Sequence, residues 1–313
     1  MNKKSYAPIV LFVYRRLDTL KKVIISIKKN KLYKKTEIYI FSDGYKNLKD
    51  KKEVKKVRKY LKTIKNFKKK KIFLRKKNIG LAKNIKSGIT KVLSFKKKCI
   101  VLEDDIVVAE NFLSFMNLSL NKFKGEKRIW HINGWNYEIK NIKSNNKDAF
   151  YWGGMHCWGW ATWQDRWRYY QKNPKKLIND FKKSDIKKFN YDGHYNFWQQ
   201  VIRNFESKIN TWAIFWYATI FKKKGLCVSP MESLTFNIGY DDYATHTLKT
   251  YSENNLYDNN KFHKKKMFRF EKNIIENEKI YDQIKNKLKT KKIIDLFSRL
   301  LGLKKYILYS SKN

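Results

Sequence analysis

Cysteine and proline are nearly absent from this chain, at three residues each in 313. Cys99, Cys157 and Cys227 stand at unrelated spacings, which excludes a disulfide framework and the paired spacings of a zinc site. Buried thiols in a reducing compartment are the expectation. No run approaches the ~18–20 apolar residues of a membrane span. The apolar run Ile9-Val10-Leu11-Phe12-Val13 is too short for a secretion signal, so a cytoplasmic protein is expected. Acidic residues are also scarce: 27 Asp and Glu face 72 Lys and Arg, a net charge of +45 with pI near 10.0. Such a balance ordinarily points to nucleic acid or an anionic membrane. Here the abundance of Lys, Asn and Ile beside little Arg, Ala, Gly and Pro has a plainer source in AT-rich coding sequence. No helix-turn-helix, zinc-finger or RNP-type pattern supports specific nucleic-acid binding. With 42% hydrophobic and 16% aromatic residues the chain is not disordered, despite a mean hydropathy of −0.70.

What is present begins with alternating strand and helix signals over the first ~120 residues. Residues 9–14 pattern as a strand; residues 18–28 carry Leu20, Val23, Ile24 and Ile27 at helical spacing. A second strand at 38–41 ends on Ser42-Asp43-Gly44, a basic helix follows over 51–64, and a third strand lies at 72–74. Asn78-Ile79-Gly80-Leu81-Ala82 opens a helix running to about residue 93. This βαβαβ rhythm predicts right-handed crossovers and a mainly parallel sheet flanked by helices. All ten tryptophans fall between Trp130 and Trp216. Around Gly153-Gly154 and Trp158-Gly159-Trp160 a constrained loop is expected to enter a helix, with Trp160, Trp163 and Trp167 on one face as a core stripe. Trp152 and Trp158, beside glycines, are candidates for stacking on a sugar's apolar face. From about residue 252 tryptophan disappears and Lys and Asn dominate. Ile293, Ile294, Phe297, Leu300 and Leu301 form an apolar helical stripe between Lys291-Lys292 and Lys304-Lys305. That stripe packs on the main domain or lies on an anionic bilayer.

The most informative run is Ile100-Val101-Leu102-Glu103-Asp104-Asp105-Ile106. A β-branched apolar stretch predicts a buried parallel strand, and it ends on three consecutive carboxylates. At the mouth of an open α/β sheet such a cluster suits a hard divalent cation and a phosphorylated ligand. The alternative is a solvated acidic turn.

In order along the chain, residues 8–18 (from Pro8 through Arg15-Arg16-Leu17-Asp18), Ser42-Asp43-Gly44, residues 78–84 and Val101-Leu102-Glu103-Asp104-Asp105 resemble the GT-A nucleotide-sugar glycosyltransferases. The segment Trp158-Gly159-Trp160-Ala161-Thr162-Trp163 is similar to bacterial family-2-like sugar transferases. A fainter similarity is to the eukaryotic N-acetylglucosaminyltransferase that initiates complex N-glycans, with Ala109 and Phe112 following the acidic strand end. The resemblance covers roughly residues 7–250. It implies a GT-A domain over 1–250, with a nucleotide-sugar half at 1–120 and an acceptor half at 121–250, and a basic, helical extension over 251–313. It further implies Mn²⁺ or Mg²⁺ on Asp105, and donor contacts from Pro8, Phe12, Arg16, Asp43, Asn78, Glu103 and Asp104. His246, in a loop with Asp241 and Asp242, would meet the diphosphate or the metal. The donor would be a nucleotide-sugar, UDP-linked by preference, and the acceptor a surface glycan or glycolipid such as lipo-oligosaccharide, capsule or O-antigen. The proton acceptor is the weakest correspondence. Asn210-Thr211-Trp212 stands where the distant relative has Asp-Asp-Trp, and Asn cannot act as a base. Asp192 and Glu206 are the nearby candidates. A nucleotidyltransferase would use a similar sheet, but Tyr14-Arg15-Arg16-Leu17-Asp18 lacks the glycine-rich loop of that class.

Overall fold

In strand β1 (Ile9–Val13) every residue is buried, so helices cover both faces of the sheet. Residues 5–139, 147–239 and 267–300 are described here, with side chains to Lys289, from a computed structural model. β1 leads to α1 (Leu17–Lys29), β2 (Glu37–Ser42), α2 (Leu48–Thr63), β3 (Lys69–Leu74), α3 (Leu81–Leu93) and β4 (Lys98–Glu103). Next come β5 (Ile106–Val108), α4 (Phe112–Lys122), β6 (Ile129–Asn133), β7 (Ala149–Trp152) and β8 (Trp160–Trp163). Five short helices follow: α5 (Gln164–Trp167), α6 (Pro174–Asp180), α7 (Lys183–Phe189), α8 (Trp198–Phe205) and α9 (Ala213–Lys222). β9 (Leu226–Pro230), β10 (Thr235–Asn237) and α10 (Glu278–Leu300) complete the described chain.

The main sheet has the order β3-β2-β1-β4-β8-β6-β9-β7. Six of its eight strands run one way; β8 and β7 are antiparallel to their neighbours. This is the expected mainly parallel α/β sheet. Side-chain alternation sorts the core into two layers. Ile9, Leu11, Val13, Ile38, Ile40, Ile100 and Leu102 face α1, α2 and α4. Val10, Phe12, Tyr39, Phe41 and Val101 face α3 and, further along, the tryptophan-rich helices.

Two expectations are corrected. The strand expected to end at Asp105 ends at Glu103, and after Asp104-Asp105 a short β5 leaves the main sheet to pair antiparallel with β10. Trp160, Trp163 and Trp167 are buried as expected of a core stripe, but Trp160–Trp163 is strand β8. Paired along its edges with β4 and β6 and buried on both faces, this strand imitates helical spacing.

The first turns of α10 bury Ile280, Ile284 and Leu288 at i, i+4 and i+8 against the tryptophan-rich layer. Ahead of it, Asp148 Oδ2 accepts from Arg269 N (2.7 Å), and Phe270 bridges to Ala149. The apolar stripe expected at 293–301 lies outside the described side chains. Because Ile284 is fully packed, Ile284→Ala is expected to lower unfolding free energy by about 2–5 kcal/mol in urea denaturation. A change near zero would mean that α10 is a removable appendage.

Candidate functional site

The parallel ladder sets Phe12 opposite Glu103, so the chain leaving β1 runs beside the carboxylates that end β4. Tyr14 N donates to Asp104 Oδ2 at 2.8 Å, and Arg16 Nη1 donates to Asp105 Oδ2 at 2.8 Å. The β5–β10 pairing returns a distant segment to the same place: Asn237 sits opposite Ile106, and Ile238 N donates to the Asp105 carbonyl at 2.8 Å. Gly239 packs directly on the ion pair. A Cβ there would collide with Asp105 Oδ2 and stand 2.6 Å from Arg16 Nη1. His246, Asp241 and Asp242 lie outside the described residues.

The electrostatics are those of crowded carboxylates. Burial, then the neighbouring Asp105 and Asp104, raise Glu103 well above the ordinary carboxylate range. Burial and Asp105 push Asp104 up to about 7, against the pull of the Tyr14 amide. Arg16 is held in place through its neighbours. Asp50, buried in the first turn of α2, accepts from Tyr14 Oη at 2.7 Å and pairs with Arg15. Tyr14 Oη in turn accepts from Lys46 N at 3.0 Å.

An aromatic wall adjoins the acidic end. Val101 pairs with Trp160 and Asn133 with Trp160, so the chain before β8 and the chain after β6 meet beside Leu102 and Glu103. Gly159, at φ +70°, makes this turn, and its carbonyl accepts from Gly134 N at 2.7 Å. Trp135 therefore meets Trp158 edge-on with centroids 4.9 Å apart, and His156 edge-on at 4.6 Å; Tyr137 meets Trp135 at 4.7 Å. All four rings are half-buried. The charges of Glu103 and Asp105 act on the Cys157 thiol between His156 and Trp158, so the wall and the carboxylates are neighbours. Burial, with His131 nearby, pushes the His156 imidazole down to about 3, so it is neutral, and its inward Nε2 has no hydrogen-bond partner among the described residues.

Several of the expected site residues are engaged within the protein. Trp152 is 0% exposed, its Nε1 bonded to Ser229 Oγ at 2.8 Å and its ring packed on Gly154, so no face is left for a sugar. Phe12 turns away from the mouth into the core, stacked on Phe41 and covering Gly88. Pro8 is buried at the far end of β1, its carbonyl taken by Ile100 N. Asp43 accepts from Gly44 N (2.8 Å) and Ile79 N (3.0 Å) on Oδ1 and from Gly80 N (3.0 Å) on Oδ2. Asn78 closes the same knot, donating to the Gly44 carbonyl at 2.7 Å. Asp192 is committed to Tyr281 (3.1 Å) and Lys285 (3.2 Å) of α10. Burial raises its carboxyl, but these two partners hold it below the usual range. Glu206 pairs with Lys208 at the end of α8. No contact among the described residues joins either carboxylate to the acidic cluster. Trp135 was missed; its signal was a Gly-Trp step after a strand, the same pairing that marked Gly159-Trp160.

Among the described residues no three His, Cys, Asp or Glu side chains converge as a complete metal cage. A small divalent ion carried in with a diphosphate does not require one, since one or two carboxylates and phosphate oxygens suffice. Hard oxygen donors at 103–105 suit that case.

No protein-family model matches the sequence, and no curated protein matches it. Among solved structures the chain is similar to S. aureus TarS 1–349, at 8% identity and a TM-score of 0.42, covering 74% of this chain and 60% of that one. It is also similar to the mannosyltransferase PcManGT from Pyrobaculum calidifontis in complex with GDP-Man and Mn²⁺, at 10% identity and 0.37, covering 71% and 70%. The glycosyltransferase GlyE of Streptococcus pneumoniae TIGR4 matches at 10% and 0.35, covering 72% of this chain and 45% of that one. The chain thus spans less than two thirds of the TarS and GlyE chains. Likeness at this level does not extend to substrates, and the functional reading rests on this chain's own residues.

Asp43, 5% exposed and taken by three amides, works as a turn clamp. Asp43→Ala is expected to lose about 1–3 kcal/mol of stability by orphaning buried donors. Unchanged stability in chemical denaturation would release Asp43 for ligand contact.

Proposed function

We propose that the protein is a metal-dependent glycosyltransferase that moves a sugar from a nucleotide-sugar donor to a glycan acceptor. The observation that carries this reading is a juxtaposition: Asp105 paired to Arg16 at one strand end, beside the half-buried wall of Trp135 and Trp158. The first half suits a diphosphate, the second a sugar ring.

Asp105, with Asp104 beside it, would hold Mn²⁺ or Mg²⁺ together with donor phosphates. Bound there, the metal supplies charge neutralisation of the departing nucleoside diphosphate. Arg16 is close enough to share that task by direct contact with phosphate oxygens. Glu103, at the end of β4 beside Asp104 and Asp105, suits a sugar hydroxyl, from which its carboxyl oxygens can accept. On the acceptor side Trp158 and Trp135 offer indole faces to the apolar face of a pyranose. His246 is proposed as a further contact to the diphosphate. The acceptor class proposed is a cell-surface glycan built on a lipid carrier.

The test is a panel of UDP-, GDP-, dTDP- and CMP-sugars, reading donor hydrolysis and transfer with and without Mn²⁺. Asp105→Ala is expected to lower turnover about 100- to 1000-fold, as for loss of a group that stabilises developing charge. It should also abolish the rise in melting temperature that Mn²⁺ with nucleoside diphosphate produces in the parent. Activity undiminished in excess chelator would remove the metal from the reading.

Trp158→Ala and Trp135→Ala are expected to raise acceptor KM about ten-fold each, near the ~1.4 kcal/mol scale of an aromatic contact, while donor hydrolysis stays unchanged. Equal losses in both readouts would assign the wall to the donor.

A further inference from the structure

Four large apolar side chains stand exposed at the end of the sheet that carries the acidic cluster. Tyr45 is 41% exposed, Leu48 78%, Leu74 48% and Leu81 50%. Their common placement follows from topology. β1, β2, β3 and β4 are mutually parallel, so the ends of β2 and β3 lie on the same side as the end of β4. Tyr45 and Leu48 follow β2, Leu74 closes β3, and Leu81 opens α3.

The two loops form a rigid shelf. Asp43 and Asn78 knot them together as described, and Arg58 adds a second brace. Its Nη2 donates to the Asp43 carbonyl (3.0 Å) and the Arg75 carbonyl (2.7 Å), and its Nε to Ser42 Oγ (3.2 Å). Scattered single apolar residues on a surface need no explanation, but these four sit on or beside two loops that are hydrogen-bonded to each other. Lys46, Lys49, Lys76, Lys77 and Lys83 are exposed on the same two loops and helix starts, and Lys51 Nζ lies 5.7 Å from the Tyr45 ring.

We propose that this shelf docks on an anionic lipid bilayer. Leu48, Leu81, Leu74 and Tyr45 enter the headgroup boundary, while the lysines meet lipid phosphates. The chemistry is that of an interfacial anchor: apolar tips supply the buried area and a basic rim supplies charge complementarity. Docked in this way, the end of the sheet bearing Glu103, Asp104 and Asp105 lies close to the membrane surface. The inference is separable from sugar transfer, because vesicle binding and catalysis are read independently.

The experiment must separate this shelf from the general attraction of a chain of net charge +45. The full-length protein carrying Leu48→Cys is labelled with an environment-sensitive fluorophore. Of the native thiols Cys99 and Cys227 are buried and Cys157 half-buried, so labelling favours the new site. The probe is phosphatidylcholine vesicles containing phosphatidylglycerol. The expected result is a blue shift at position 48 and none from a label at Leu118→Cys, which is exposed on α4. In co-sedimentation at raised salt, where charge attraction is screened, the double variant Leu48→Ser with Leu81→Ser is expected to bind at least about ten-fold more weakly. Binding without a shift at position 48 overturns the proposal and assigns attachment to another surface. A shift produced equally by heparin also overturns it, marking the shelf as a general polyanion surface. Because both leucines are exposed, the serine variants should keep the parent's melting temperature.

Discussion

Three adjacent carboxylates at the end of a buried strand constrain everything around them. Ionised together and partly withdrawn from water, they repel one another strongly, and the fold answers with fixed counter-groups rather than with solvent. Asp104 receives a backbone amide and Asp105 an arginine, both from the three residues after β1. Those residues are useful only if their loop cannot drift, and Asp50 prevents that by gripping Tyr14 and Arg15 on either side of the chain. The constraint therefore passes from β4 to β1 and then to the first turn of α2. It also passes forward, since the chain can turn off into β5 and meet β10 only by breaking the strand at Asp104-Asp105. Gly239 marks the limit of that approach: any side chain there would displace the ion pair.

The opposite wall is built by a different rule. Carboxylates are fixed by directional bonds, whereas Trp135, Tyr137, His156 and Trp158 are fixed by shape, through edge-to-face contacts on a backbone turn that needs Gly159. His131 ties the two rules together below the surface. Its Nδ1 accepts from Trp216 Nε1, so its Nε2 carries the proton and donates to the His156 carbonyl. That fixes the loop bearing the aromatic wall from beneath, with a neutral imidazole that burial keeps neutral.

How much of this was legible depends on whether the signal was local. α1 and α3 were readable because their apolar spacing matches one buried helix face, and β1 and β2 because each is a short, unbroken apolar run bounded by polar residues. The acidic strand end was readable because its three residues are contiguous. Where a residue's role depends on what lies across from it, the sequence misled. Trp152 and Trp158 look alike beside their glycines, yet Ser229 and Gly154 close over one and leave the other half-open. Trp160 and Trp163 imitate a helical face because a strand buried on both sides has no polar residue to reveal its period of two. Asp192 looks like a loop carboxylate free to act as a base until α10 brings Lys285, 93 residues later, to it. The partners of Asp43 were half legible: Gly44 is adjacent, but the amides of Ile79 and Gly80 come from a separate loop.

Two scales of electrostatics meet at this strand end, and they point in opposite directions. At long range the chain is strongly basic, and a field of that sign concentrates anionic molecules near the surface. At short range the entry to the site is acidic, and bare carboxylates would repel a diphosphate at the last few ångströms. A divalent cation would reconcile the two, by converting the acidic end into a receptor for the same anions that the distant field gathers. Arg16 on Asp105 is the one-charge version of that arrangement, already present within the chain. The proposed metal dependence is therefore the missing half of a charge balance that lysines alone, spread over the outside, cannot complete.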